Sequence, residues 1–256
     1  MQPSFEAVLK IFSISTFRYF FIAGIPFLIC YGLFGKRLAA SKIQKRQAAR
    51  KDFIREIMHS LKTTVIFTAI LYVALYTPFH NMTMIYDNLA DYPLWWLFVS
   101  VVLSLIIHDT YFYWMHRLLH HSFLFRHVHL VHHQSANPSP WASYSFDLAE
   151  ACAEGAVLLV IVTIIPMHLI GISLFVLVAF MINVYGHLGY EIAPIWLRNT
   201  LLFELVNTSV HHNLHHSKFK GNYGLYFRIW DRLMGTEHPD YVKEYDRIQQ
   251  NRIKTN

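Results

Sequence analysis

The residues best suited to chemistry in this chain are its histidines. The 256 residues include 17 histidines, most of them in three groups: HRLLHH at 116–121, HLVHH at 129–133 and HHNLHH at 211–216. Residues three and four apart on a helix share one face, so each group can direct its side chains to a common point. We therefore expect eight convergent imidazoles, namely His116, His120, His129, His132, His133, His212, His215 and His216.

Eight imidazoles are too many for one ordinary metal site. Imidazole binds iron, copper, nickel or zinc, and a structural zinc site is complete with four ligands. The pattern therefore predicts two metal ions. His187, in the sequence NVYGHLGYE, is a candidate ninth ligand, and His108 and His211 are candidates for a tenth. Four isolated histidines are interpreted as ordinary core or surface residues: His59, His80, His168 and His238.

The composition places these histidines in a membrane protein. Hydrophobic residues make up 54% of the chain and charged residues 15%, whereas soluble domains carry roughly 25% charged residues. Because a spanning helix needs about 20 mostly apolar residues, the candidate segments are 17–35, 63–79, 94–115, 151–165 and 168–186. The last two form a hairpin that either spans the membrane or re-enters it. We expect an all-helical membrane bundle of about four to five such helices, in a single domain over 1–256.

The distribution of charge predicts the orientation of the bundle. Lysines and arginines dominate the loop at 36–62, which by the positive-inside rule is cytoplasmic. The next connection, 80–92, contains Asp87 and Asp91 but no lysine or arginine. The three histidine groups therefore fall on the cytoplasmic side. The net charge of +6 lies beside apolar segments, which favours a membrane surface over nucleic acid as its partner.

Two other classes of protein bind metals through histidine. A histidine-rich metal-handling membrane protein or transporter is the main alternative, but a conduction path would place ionisable groups deep inside the spans. Glu150 and Glu154 are the nearest exceptions; both interfacial solvation and contact with substrate or metal fit them. A hydrolytic zinc site is disfavoured because the chain has neither an HExxH nor a GxSxG motif.

The ordered histidine boxes resemble those of the membrane-bound sterol desaturase and fatty acid hydroxylase superfamily. The likeness covers residues 104–236, through HDTYFYWMHRLLHH, FRHVHLVHHQS and HHNLHHSKFKGNYGLYFRIWDRLMGT. It implies a helical membrane base with a cytosolic cap, and a non-haem diiron centre that uses O2 to hydroxylate or desaturate a lipid. It carries the role of metal ligand to the eight boxed histidines and to His187. Some members have a second histidine four residues further on, where this chain has Glu191.

Several residues outside the boxes complete the prediction. Asp109 and Glu191 are interpreted as acceptors that orient the N–H groups of ligand histidines. The polar tail after Tyr241 is expected to fray. Electrons must come from an external donor, because the chain has no CxxCH motif, ferredoxin-like cysteine set or Rossmann glycine fingerprint. The basic loop at 36–62 and the charges after Lys218 suit either an acidic donor, such as cytochrome b5 or a ferredoxin, or anionic lipid.

Overall fold

The structure is a computed structural model that describes residues 4–46 and 48–255. About 74% of the chain is helical. The helices in the described part are α1 Phe5–Phe27, α2 Arg50–Tyr76, α3 Leu94–Leu119, α4 Ser122–Leu124, α5 Leu130–His133, α6 Leu148–Ile164, α7 Leu169–Gly186, α8 Leu201–Leu205, α9 Ser209–Lys218, α10 Ile229–Leu233 and α11 Tyr241–Thr255. The prediction of an all-helical class is confirmed.

Within the described residues, four helices are long and apolar enough to cross a membrane. They are α2, α3, α7 and α1 extended by a π-helical stretch, so that the first span runs over Phe5–Leu33. Two of them begin earlier than the sequence predicted, at Phe5 instead of 17 and at Arg50 instead of 63. Their first turns carry charged side chains, and these lower the local hydropathy on which the prediction was based. Such side chains are tolerated at the end of a spanning helix because they can reach the membrane interface.

The sixth and seventh helices form the predicted hairpin. Helix α6 has 17 residues, and its N-cap Asp147 accepts a hydrogen bond from the Ala149 amide at 2.9 Å. Between α6 and α7, strand β2 (Met167–His168) pairs in parallel with strand β1 (Ile85–Tyr86). This short ladder attaches the tip of the hairpin to the connection between α2 and α3.

The main core lies among α2, α3, α6 and α7, where Ala74, Ile161, Val162 and Met167 are fully buried. At the opposite end from the β-ladder, the segment 140–144 packs between α1, α2 and α7. The carbonyl of Trp141 accepts hydrogen bonds from the hydroxyls of Tyr19 at 3.0 Å and Ser60 at 2.9 Å. These contacts on α1 and α2 hold the chain around α5 against the bundle.

The C-terminal residues form a second hydrophobic core, which packs against α9. Tyr241, Tyr245 and Ile248 are fully buried and pack with Val210 and Leu214 of α9. The predicted fraying of the tail after Tyr241 is therefore wrong. The apolar positions of α11 are spaced four and three residues apart, which is the spacing of a helix with one buried face. This face supports α9, the helix that carries the last histidine box.

Candidate metal centre

Four parts of the chain bring the boxed histidines to the same end of the bundle. The end of α3, the segment through α5, the end of α7 and helix α9 each contribute. His120 is partly buried, and the other candidates are at most 3% exposed. The residues brought together are His116, His120, His129, His132, His133, His187, His212, His215 and His216.

The nine histidines fall into two groups. Within each group, one ring nitrogen from every residue lies within 4.8 Å of the corresponding atoms of the others. The five-histidine group consists of His116, His120, His129, His133 and His215, and the four-histidine group of His132, His187, His212 and His216.

The division into groups corrects the expectation that each box converges on one point. In α9, His212 and His216 belong to the four-histidine group, whereas His215 belongs to the other. Side chains on a helix turn by about 100° per residue, so positions i and i+4 differ by about 40° while position i+3 lies about 60° to the other side. The same rule places His129 and His133 in one group and His132 in the other.

The distances between ring nitrogens fit a bound cation. His187 Nε2 lies 3.4, 3.1 and 3.2 Å from the Nε2 atoms of His132, His212 and His216. One ring nitrogen carries either one proton or one lone pair, so it cannot make three such hydrogen bonds. At about 2.1 Å from a shared metal ion, by contrast, neighbouring imidazole nitrogens are separated by about 3.0–3.4 Å.

Backbone carbonyls fix the orientation of three of the rings. The Nδ1 atoms lie 2.9 Å from Tyr223 O for His116, 2.8 Å from Asn183 O for His187, and 2.7 Å from Gly221 O for His215. A carbonyl only accepts, so each Nδ1 carries the proton. The Nε2 lone pair is then free for a metal ion, an arrangement typical of histidine ligands.

A carboxylate orients a fourth ring. Glu150 Oε1 lies 2.7 Å from His129 Nδ1, and both side chains are buried. Interfacial solvation and contact with substrate or metal both fitted Glu150 from the sequence, and the structure places its carboxylate against a clustered histidine. No periodicity links residues that are 21 positions apart, so their pairing had no signal in the sequence.

Burial also keeps the imidazoles neutral. Desolvation lowers the pKa of His187 to about 4 and that of His215 to about 4, although a carbonyl partner raises each pKa. A neutral ring at pH 7 has a lone pair available for a metal.

The predicted carboxylates Asp109 and Glu191 bind the backbone. Asp109 Oδ1 accepts from the amides of Leu225, Tyr226 and Phe227 at 3.1, 2.7 and 3.2 Å. Glu191 accepts from the Tyr185 hydroxyl and from the amides of Ala193 and Val210. In these contacts they hold the chain around the centre, whereas the carboxylate that contacts a clustered ring is that of Glu150.

The candidates for a tenth ligand lie outside both groups. His108 Nδ1 is 2.9 Å from the Tyr226 hydroxyl. His211 is fully buried one residue before His212 and packs edge-on against Tyr241. The structure therefore brings together nine histidines and leaves these two beside them.

The glycine-rich segment after α9 closes over the centre. Gly221 has a φ of 77°, which favours glycine, and its carbonyl is the partner of His215. Asp231 accepts from the amides of Tyr223 and Gly224 at 2.9 and 2.7 Å. Asp231, which the sequence did not single out, thereby shapes the loop that orients His116 and His215.

A cavity of about 140 Å³ lies inside the bundle, beside the centre. Phe146 and Asn183 line it; the Phe146 ring is centred 5.0 Å from that of His132, and the Asn183 carbonyl faces His187. Most other lining residues are apolar and come from α2, α6 and α7, for example Phe67, Val157 and Phe175. A mostly apolar lining with a few polar groups is typical of sites that bind small apolar molecules.

The fold and the site together define a helical membrane protein with a buried polyhistidine centre. Residues 101–236, more than half of the chain, match the sequence model of the fatty acid hydroxylase family. The chain belongs to the sterol desaturase and fatty acid hydroxylase superfamily, as its histidine boxes predicted.

Relatives at about 30% identity carry names of sterol enzymes. The chain is 30% identical to a lathosterol oxidase of Rattus norvegicus, over 93% of this chain and 80% of the relative. Its identity to a lathosterol oxidase of Mus musculus is 31%, over 86% and 71%. A Delta(7)-sterol 5(6)-desaturase of Gibberella zeae is 34% identical over 66% of this chain and 50% of the relative. No solved structure shows significant similarity to the chain.

Proposed function

We propose that this protein is a membrane oxidoreductase in which the nine clustered histidines hold two iron ions for the O2-dependent oxidation of a lipid. The observation that carries the proposal is the convergence of nine ring nitrogens, one from each histidine, into two groups with the spacing of metal ligands. Membership of the superfamily supports iron over the other metals that imidazole binds.

Two bound ferrous ions would supply the electrons that first reduce O2, and the protein supplies their geometry. Carbonyls opposite His116, His187 and His215 hold those rings with Nε2 facing inward. Glu150 does the same for His129. The buried setting excludes bulk water, which protects reactive species from side reactions.

The substrate is a lipid that reaches the centre through the cavity among the spans. The names of the relatives make a sterol the first class to test, and the family name makes a fatty acyl chain the second. Hydroxylation and desaturation both begin with the removal of hydrogen from carbon. In desaturation, two hydrogens from the lipid, with two electrons and two protons from a donor, reduce one O2 to two water molecules.

The electrons come from an external donor on the cytoplasmic side. The segment 36–62, which ends in the first turns of α2, is rich in lysine and arginine, and this supports a cytoplasmic location for the end of the bundle that holds the histidines. The same charges suit an acidic redox partner such as cytochrome b5 or a ferredoxin, supplied by its reductase.

Oxygen uptake with product analysis tests the function. The purified protein is loaded anaerobically with ferrous iron and given a reduced donor, O2 and either a Δ7-sterol or a membrane lipid extract. We expect lipid-dependent O2 consumption and an oxidised or desaturated lipid detected by mass spectrometry. Metal flux into sealed vesicles, without oxygen chemistry, would instead identify a metal-handling protein.

A further inference from the structure

Apolar side chains are exposed on a part of the chain that lies beyond the spans. The 3-10 turn Ile195–Asn199 and the helices α8 and α10 come after α7, and none of them is long enough to cross a membrane. Leu201 is nevertheless 83% exposed and Leu233 71% exposed. Contiguous apolar surface of this kind marks a contact with a membrane or a protein. The apolar patch consists of Trp196, Leu201, Leu202, Leu205, Ile229 and Leu233.

Two contacts join α8 and α10 into one surface, although the helices are far apart in the sequence. The Arg228 amide donates a hydrogen bond to Leu205 O at 2.8 Å. The Arg232 guanidinium donates to the Glu204 carboxylate, also at 2.8 Å. On the inner side of α8, Phe203 is fully buried. The exposed leucines of the two helices therefore lie side by side on the outside of the protein.

Helix α10 contacts α3 at the level where the membrane ends. Trp230 Nε1 donates to Thr110 Oγ1 at 3.1 Å, and the centre of the Trp230 ring lies 5.5 Å from that of Trp114. At 1.5 Å per residue, Thr110 and Trp114 are about 24 and about 30 Å along α3 from Leu94, where the span begins. Because the hydrocarbon core of a bilayer is about 30 Å thick, α10 lies beside α3 at the edge of that core.

The apolar patch adjoins the lipid-facing surface of the spans on two sides. On α3, Ile106 and Trp114 are exposed next to α10. On the other side Ile192, which shortly precedes the 3-10 turn, lines the groove between α1 and α7 together with Phe17 and Met181. The exposed side chains of a spanning helix contact lipid. A bilayer leaflet would therefore cover the spans and the patch without a break.

The groups at the border of the patch are those of a membrane interface. Trp196 is exposed, and tryptophan is enriched where headgroups meet hydrocarbon. Arg198 and Arg232 have long side chains, whose stems can cover apolar surface while the charge stays among headgroups. Each is already paired with a carboxylate, that of Asp246 or Glu204. These paired arginines offer little to an acidic soluble protein, so the leaflet is the occupant that fits the patch.

We propose that the apolar patch inserts into the bilayer leaflet on the side of the histidines, so that α8 and α10 lie in the membrane interface without crossing it. A helix with one apolar face takes this position, with that face against the acyl chains. Because α10 follows the glycine-rich segment that orients His116 and His215, the contact fixes the height of that segment above the spans. The proposal rests on the spanning helices and is independent of the proposed oxidation.

Spin labels on single cysteines of the full-length protein test the proposal. Leu201→Cys and Leu233→Cys place one label on each short helix, after the native Cys30 and Cys152 have been replaced by alanine. The labelled proteins are reconstituted in vesicles of phosphatidylcholine and phosphatidylglycerol. Power saturation then measures how often each label collides with O2, which concentrates in hydrocarbon, and with a neutral nickel chelate, which stays in water.

Two further positions calibrate the environments. Val102 is exposed in the span α3, and Lys243 is exposed on α11. The Val102→Cys label reports hydrocarbon and the Lys243→Cys label reports water. We expect the labels at positions 201 and 233 to collide with O2 more often than with nickel, as the label at position 102 does, and the label at position 243 to show the reverse.

Two results would overturn the proposal. Frequent collision of either patch label with nickel would place the patch in water. Protection of either label from both O2 and nickel would mean that protein covers the patch, for example a second copy of this chain. Thermal unfolding checks the fold of each variant, and because the labels lie on different helices, the loss of one variant leaves the other to decide. The assay needs no iron, electron donor or substrate.

Discussion

Glu150 holds His129 through a 2.7 Å contact between Oε1 and Nδ1, and this is the one carboxylate contact among the nine clustered rings in the described part of the chain. The rings of His116, His187 and His215 face neutral carbonyls instead. A carboxylate partner makes an imidazole a stronger ligand and fixes its ring more firmly. Glu150 is therefore a positioning residue for the five-histidine group.

Replacement of Glu150 by leucine should weaken metal binding while preserving the fold. The loss of a carboxylate that orients a ligand typically costs about 10–100-fold in metal affinity. Iron content measured against free ferrous iron checks this, together with the thermal unfolding of the metal-free protein. Glu6→Leu, at an exposed position on α1, is the control. Wild-type iron affinity in Glu150→Leu would show that the contact does not position a ligand.

The two groups of histidines should respond differently from the isolated ones. His132 is buried in the four-histidine group, whereas His168 Nε2 contacts the Asp87 carbonyl at 3.0 Å beside the β-ladder. We expect His132→Ala to lose metal and turnover and His168→Ala to retain both. Metal analysis and lipid product formation measure the two effects. Equal losses in both variants would contradict the separation of clustered from structural histidines.

Asp109 is expected to stabilise the fold and to take no direct part in the reaction. Two substitutions, Asp109→Leu and Asp109→Asn, separate the loss of the acceptor from the loss of the charge. Leucine would leave the amides of Leu225, Tyr226 and Phe227 without their acceptor, at about 1–3 kcal/mol for each unpaired group. Asparagine keeps an acceptor oxygen and should retain most of the stability and turnover. Thermal unfolding and turnover of both variants test this. A folded, iron-loaded Asp109→Asn protein without turnover would argue for a direct role in the reaction.

The C-terminal helix should be required for a stable centre. Ile248 is fully buried against α9, so Ile248→Ala should destabilise the protein by about 2–5 kcal/mol. Ile253 on the same helix is 57% exposed and gives a matched control that should stay near wild type. Denaturant unfolding of both variants measures this difference in stability, and the iron content measured along the transition shows whether the centre is lost with the fold. Equal stabilities of the two variants would mean that α11 does not support the histidines.

The sequence predicted the composition of the site better than its geometry. Spacing identified eight of the nine clustered histidines, and the end of an apolar segment identified His187. The division of the histidines into two groups was missed. Spacing shows which residues share a face of a helix, but it does not show which other helices lie on either side of that face. Glu150 was left undecided because a contact across 21 residues depends on the packing of α6 against the π-helical turn that precedes α5.

The helices were predictable in type but not in extent. Hydropathy located the spans, yet it missed the charged first turns of α1 and α2, beginning at Phe5 and Arg50. The tail after Tyr241 was judged by its overall polarity. Its three buried apolar positions have helical spacing, but they are separated by charged residues that dominate the local average.

The metal content of the purified chain is the most direct test of the account. Protein prepared anaerobically with ferrous iron, and freed of loosely bound metal, should contain about two iron ions per chain. Substitution of His215 by alanine should empty the five-histidine group, and substitution of His212 should empty the four-histidine group. A content of one ion or none in the wild type, or an unchanged content in both variants, would contradict a two-iron centre held by these histidines.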